Sequence, residues 1–142
     1  MTNYGGCERT TLAASPQACF DALTDYEHLA DWQGALKSAE VLERYPDGAL
    51  VVYALDAKVR TVRYTLRLEH DPPHRIGSRY VEGDFRTLEA EWRFTERPDG
   101  GTDVVLELEL DPGRFVPGPV RNVVREVVMG RALRDLKARV ER

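Results

Sequence analysis

The chain has 142 residues, 42% of them apolar and 31% charged, and a formal net charge of −4. That length fits one domain, residues 1–142, with a single substantial core, and the acidic balance argues against a protein that coats nucleic acid. No apolar run reaches the roughly 18 residues a bilayer span needs, and Met1 to Gly6 lack the basic stretch and apolar core of a secretory signal, so a cytoplasmic location is expected.

Glu8 to Ala14 reads as a first strand. Ser15-Pro16 then opens a helix, with a hydroxyl at the N-cap and proline at the first helical position, where its missing N–H costs nothing. Cys19, Phe20 and Leu23 form its apolar side. Cys7 and Cys19 are spaced too far apart for the usual metal pairs and are too few for a disulfide framework, so Cys19 reads as a small core hydrophobe. The helix is expected to break near Asp25, which can cap a second short turn running through Trp32, and Gly34 ends the section.

Six strands follow. Ala35 to Tyr45 closes at Pro46-Asp47-Gly48; Leu50 to Ala57 and Val59 to His70 come next, with a weak boundary around Asp56 to Lys58. Asp71-Pro72-Pro73 breaks the pattern. Arg75 to Glu82, a turn at Gly83-Asp84, Phe85 to Glu96, a turn at Pro98 to Gly101, and Thr102 to Leu110 complete the run. Asp111-Pro112-Gly113 stops the sheet, and Pro117-Gly118-Pro119 stages a helix that continues to Arg142.

The strands alternate apolar and charged residues. Leu88, Ala90, Trp92 and Phe94 oppose Glu89, Glu91 and Arg93; Val104, Leu106, Leu108 and Leu110 oppose Val105, Glu107 and Glu109; Val62, Tyr64, Leu66 and Leu68 oppose Arg63, Thr65, Arg67 and Glu69. This predicts an antiparallel sheet with one wet face, on which Arg79 can meet Glu89 or Glu91. For Ala35 to Tyr45 two buried sets compete, Leu36 with Leu42 and Ala39 with Val41. In the terminal helix Val120, Val123, Val124 and Val127 form one stripe and Met129, Leu133, Leu136 and Val140 nearly the opposite one. A straight helix cannot bury both against one sheet, so a kink near Gly130 is expected, with the valine stripe roofing a cavity mouth. A curled sheet covered by one helix encloses space, which makes the chain a container for an apolar small molecule.

Thr24 to His28 leading to Asp31-Trp32, Val81 to Leu88 with Trp92-Arg93-Phe94, and Gly101-Thr102 together resemble the START-like (SRPBCC) superfamily, and within it the polyketide cyclase/dehydrase and coenzyme Q-binding (Coq10-like) group of small bacterial proteins. The resemblance covers nearly the whole chain from Glu8. It implies an α+β helix-grip fold: a seven-stranded antiparallel sheet curled around a long C-terminal helix, with two short helices after the first strand. It also implies that lipids, quinones or polyketides are held between sheet and helix.

The chemistry is mostly defined by what is missing. No G-x-S-x-G elbow, H-E-x-x-H pair or phosphate-cradling glycine loop occurs. His28, His70 and His74 lack metal-ligand spacing and read as loop residues. No cofactor and no metal are expected. Trp32, Tyr53, Tyr64, Tyr80, Trp92 and Phe94, with Val123, Val124 and Val127, are the candidate ligand-binding residues: apolar walls carrying a few polar groups. The first reading is a binding or transport protein for a lipid, quinone or polyketide-like molecule. The second is a polyketide cyclase or aromatase in the same cavity, with Tyr64 and Tyr80 as weak catalytic candidates. The third is a partner- or ribosome-binding module using the basic residues of the terminal helix (Arg121, Arg125, Arg131, Arg134, Lys137, Arg139, Arg142), which can also touch a membrane surface transiently. These residues are interrupted by acids and not interleaved with aromatics, so nucleic acid is not an expected partner.

Overall fold

The computed structural model describes residues 4–34, 36–56, 60–111, 113 and 131–141. They form seven strands: β1 (Tyr4–Leu12), β2 (Leu36–Tyr45), β3 (Gly48–Asp56), β4 (Thr61–Asp71), β5 (Arg75–Gly83), β6 (Thr87–Glu96) and β7 (Thr102–Asp111). All pair antiparallel in one sheet ordered β1-β7-β6-β5-β4-β3-β2. From β2 to β7 the strands are a meander, and β1 returns to the far edge beside β7. The link from β1 to β2 therefore has to cross the sheet. It does so through helix α1 (Pro16–Thr24) and a 3₁₀ helix (Tyr26–Asp31). Helix α2 (Ala132–Val140) packs on α1 and β1.

Helix α1 starts as the sequence dictates: Ser15 Oγ accepts the Ala18 N–H at 3.2 Å and Pro16 sits in the first turn. Pro16, Cys19, Phe20 and Leu23, spaced three and four apart, are its buried side. The break does fall at Asp25, but that side chain does not cap the next turn. Its carboxylate instead meets His28 Nδ1 at 3.0 Å, while its backbone carbonyl accepts the His28 N–H at 3.1 Å.

The concave face carries the expected sets. Val104, Leu106, Leu108 and Leu110 on β7, and Val62, Tyr64, Leu66 and Leu68 on β4, are all buried. Thr65 departs from the pattern: it is buried although its neighbours on that face, Arg63 and Arg67, are exposed. On β2 the two competing sets turn out to be mixed. Leu36, Ala39 and Val41 all pack against the core, and Leu42 is exposed. Register shifts between Leu36 and Ser38 and between Val41 and Glu43 each insert one residue, and every inserted residue reverses which parity faces inward.

Several boundaries differ from those read in the sequence because pairing partners set them. Strand β1 begins at Tyr4 and stops at Leu12, matching β7 from Leu110 to Thr102. Beyond it the Ala13 N–H is held by the Glu141 carboxylate at 2.9 Å, and the Ala14 carbonyl by Thr102 Oγ1 at 2.7 Å. Strand β3 starts earlier, at Gly48, paired with Glu69. Strand β6 starts at Thr87, because the Asp84 carboxylate and backbone N–H are both engaged by the backbone of Arg63. Arg79 does not meet Glu89 or Glu91. It pairs with Glu69 at 3.1 Å, and Glu91 is taken by Arg75 and Arg93.

Helix α2 buries Leu133 and Leu136 and half-buries Val140, which is the second of the two expected stripes. Of the long C-terminal helix expected from the sequence, the described residues show only this nine-residue helix. Met129, the valine stripe and the kink expected near Gly130 lie outside the described residues.

Candidate functional site

The curl of the sheet leaves a cavity of about 130 Å³ between its concave face, α1, the 3₁₀ helix and the start of α2. Its wall is aliphatic for the most part: Leu23, Leu29, Leu36, Leu55, Leu66, Leu68, Ile76, Leu88 and Leu106, with Ala90 and Ala132. The strands supply these side chains at alternate positions, so one stretch of alternation builds one stretch of wall. The volume is of the order of the ~150 Å³ apolar cavities that take up a benzene ring.

Among the described residues, six polar or aromatic side chains interrupt the wall: Tyr26, Gln33, Tyr53, Tyr64, Ser78 and Trp92. Three have their polar groups engaged by protein. Ser78 Oγ donates to the Ala90 carbonyl at 3.0 Å and accepts the Ala90 N–H at 3.1 Å, and Gln33 Nε2 donates to the Ala132 carbonyl at 3.4 Å. The Tyr26 hydroxyl lies 2.7 Å from His70 Nε2. By contrast, the hydroxyls of Tyr53 and Tyr64 have no hydrogen-bond partner among the described residues. No fully enclosed polar side-chain atom there lacks a partner, so these two oxygens open onto the cavity that their residues line.

Tyr53 and Tyr64 are directly paired across β3 and β4, and their rings stack 5.3 Å apart at 20°. Tyr64 also meets Phe85 at 5.4 Å. Burial pushes the phenols of Tyr26, Tyr53 and Tyr64 well above the ordinary tyrosine value, and for Tyr53 the neighbouring Tyr26 and Tyr64 add to it. At physiological pH all three are neutral. They are hydrogen-bond donors and not bases.

Of the residues proposed from the sequence, Tyr53, Tyr64 and Trp92 are brought together in this wall. Phe94 is fully buried behind Trp92, stacked on it at 6.3 Å and 15°. Trp32 packs half-buried against the core. Tyr80 is outside the wall, and its hydroxyl is used twice by one residue: it donates to the Phe85 carbonyl at 2.7 Å and accepts the Phe85 N–H at 3.2 Å. Val123, Val124 and Val127 lie outside the described residues. The sequence reading missed Tyr26 and its partner His70. Both had a signal: Tyr26 continues the spacing of Leu23 and Leu29 across the helix break, and His70 keeps the inward parity of Val62, Tyr64, Leu66 and Leu68. Half-buried on β4, His70 is not the loop residue expected. Among the described residues, no three His, Cys, Asp or Glu side chains gather as metal ligands would.

Solved structures share this architecture. The Zhui aromatase/cyclase from a Streptomyces species superposes with a TM-score of 0.84 at 20% identity, covering 99% of this chain and 95% of that one. A Thermus thermophilus protein gives 0.83 at 25% identity over 96% and 97% of the two chains. A START superfamily protein from Mycobacterium smegmatis gives 0.82 at 19% identity, again over 96% and 97%. A comparison with curated protein sequences finds no match. Residues 12–137 match the family described as polyketide cyclase/dehydrase and lipid transport. With that match spanning most of the chain, the protein belongs to the family described as polyketide cyclase/dehydrase and lipid transport, and it shares the fold of these solved structures.

Proposed function

We propose that the protein binds a hydrophobic small molecule in the cavity between its sheet and its helices and acts as a carrier or receptor for it. The observation that carries this reading is the wall itself: its described residues are mostly aliphatic and aromatic, with a few polar atoms, which is the usual makeup of a small-molecule pocket. A ring burying about 200 Å² gains about 5 kcal/mol before the costs of association. The family match supports the same class of ligand.

A polyketide cyclase acting in the same space is the second reading, favoured by the likeness to an aromatase/cyclase fold. Such a reaction needs a group that takes a proton as well as one that polarises a carbonyl. The described wall holds phenols but no carboxylate, histidine, lysine or arginine side chain. That composition favours binding over turnover.

Native mass spectrometry of the purified protein, followed by organic extraction, tests the proposal. A co-purifying or added apolar molecule should be retained by the wild type and lost in Ala90→Leu, which places extra carbons inside the cavity. If Ala90→Leu retains the molecule as well as the wild type does, binding occurs elsewhere and the reading is wrong.

A further inference from the structure

Taking the cavity to be a binding site, as proposed above, we infer that the hydroxyls of Tyr53 and Tyr64 select its guest: they form a pair of donors for a carbonyl oxygen carried on a single ring. Both residues are buried, 8% and 6% exposed, yet neither hydroxyl has a hydrogen-bond partner among the described residues. A buried hydroxyl left without a partner is destabilising, so in native proteins it is nearly always satisfied. These two open onto the cavity, so their partner is whatever fills it, water in the empty protein and the guest when one is bound. Of the other polar groups of the described wall, Tyr26, Ser78 and Gln33 are bonded to His70, Ala90 and Ala132, and Trp92 offers a single indole N–H.

The chemistry of the guest follows from the donors. The raised phenol pKa values keep both O–H groups protonated, and a carbonyl oxygen has two lone pairs to accept two donors. A carboxylate would have to leave water for a wall whose described residues include no cationic side chain, which burial penalises heavily. The guest is therefore neutral. Its size follows from the ~130 Å³ volume, which suits one ring and a short substituent. Position is also fixed in advance: Tyr64 is held between its contacts with Tyr53 and Phe85, and Phe85 is held by Tyr80. Little freedom remains to be lost when a guest arrives.

Acetophenone and α-methylstyrene, which replaces C=O by C=CH₂ in nearly the same shape, separate this inference from the reading beneath it. Their affinities are measured by NMR titration on the wild type, Tyr53→Phe, Tyr64→Phe and the double variant, and the readout is the ratio of the two. Two neutral hydrogen bonds of ordinary net strength should make acetophenone bind about tenfold more tightly to the wild type. The ratio should fall part-way in each single variant and to about one in the double variant. Equal binding of the two probes to the wild type would overturn the donor pair while leaving the apolar cavity standing. A preference that survives in the double variant would overturn it as well. Failure of both probes to bind would sink the donor pair and the cavity reading together.

Discussion

The phenol oxygen of Tyr26 lies 2.7 Å from Nε2 of His70, with the two rings nearly parallel at 24° and Phe20 set edge-on against the imidazole at 5.6 Å. The pair ties the 3₁₀ helix to strand β4 at one end of the cavity. Burial holds the His70 pKa below the ordinary histidine value; Asp47 opposes that shift and Arg44 adds to it. The neutral imidazole, which can hold the hydrogen bond to Tyr26 in either tautomer, is therefore the form the fold prefers. A histidine with a depressed folded pKa contributes stability that is full above its unfolded value of about 6.5 and is lost as pH falls from there through the folded value. The thermal midpoint of the wild type should drop more between pH 7 and pH 5 than that of His70→Gln, whose neutral amide can bond the tyrosine without titrating. His28, raised by its hydrogen bond to Asp25, acts with the opposite sign, but it is common to both proteins and cancels in the difference. Parallel pH profiles for the two proteins would refute the assignment.

Tyr80 acts on the cavity at one remove. Its two hydrogen bonds to Phe85 keep that ring in place against Tyr64. Tyr80→Phe removes both and leaves the Phe85 N–H and carbonyl to find other partners, at a cost of about 1–2 kcal/mol. Denaturant unfolding should show the midpoint shift with an unaltered slope. A variant as stable as the wild type would mean that these bonds contribute nothing net.

At Gly83 the backbone itself is the constraint. With φ at +143°, it lies opposite Tyr64, and a Cβ there would stand 2.5 Å from both the Arg63 carbonyl oxygen and Tyr64 Cα. Neither atom is the end of a flexible side chain, so the strands must separate. Gly100, at φ +87°, has open space around it. Gly100→Ala should therefore cost only the backbone strain, about 1 kcal/mol, whereas Gly83→Ala should cost at least twice that and disturb the Tyr53–Tyr64 stack. Equal stabilities measured by chemical denaturation would contradict this account.

These particular residues also mark what the sequence can and cannot disclose. Ser15-Pro16, the break at Asp25 and the inward sets of β4, β6 and β7 were legible, because each follows from local rules of capping or two-residue alternation. Tyr53, Tyr64 and Trp92 were legible as inward aromatics for the same reason. The face of β2 was not: two register shifts are invisible in a list of side chains, yet each reverses the parity. Nor could the partner of Arg79 be read, since the choice between Glu69 and Glu89 depends on register across two strand pairs. What separates Tyr64 from Tyr80 is tertiary in the same way. Both are tyrosines at strand positions. One hydroxyl opens onto the cavity, while the other is claimed by the turn that follows its own strand.

The segment between the 3₁₀ helix and β2 is fastened to helix α2 by a contact that neither element announces. The Gly34 N–H donates to the Asp135 carboxylate at 2.9 Å, and Arg131 lies against the same carboxylate at 3.9 Å. Beside it, Gln33 lines the cavity and reaches the Ala132 carbonyl. Asp135 is a half-buried acceptor for a backbone donor, a bond of the charge-assisted kind worth about 1.5–3 kcal/mol. Asp135→Ala should free the segment locally without unfolding the sheet, because β2 through β7 are held by their own pairing. Hydrogen exchange of the Gly34 amide should then accelerate by tenfold or more while the amides of β7 keep their wild-type protection. An apolar guest should also leave faster, since one wall of its cavity is no longer anchored to the helix. Acceleration spread evenly over Gly34 and β7 would show instead that Asp135 supports the whole fold, and the separate anchoring of this segment would be wrong.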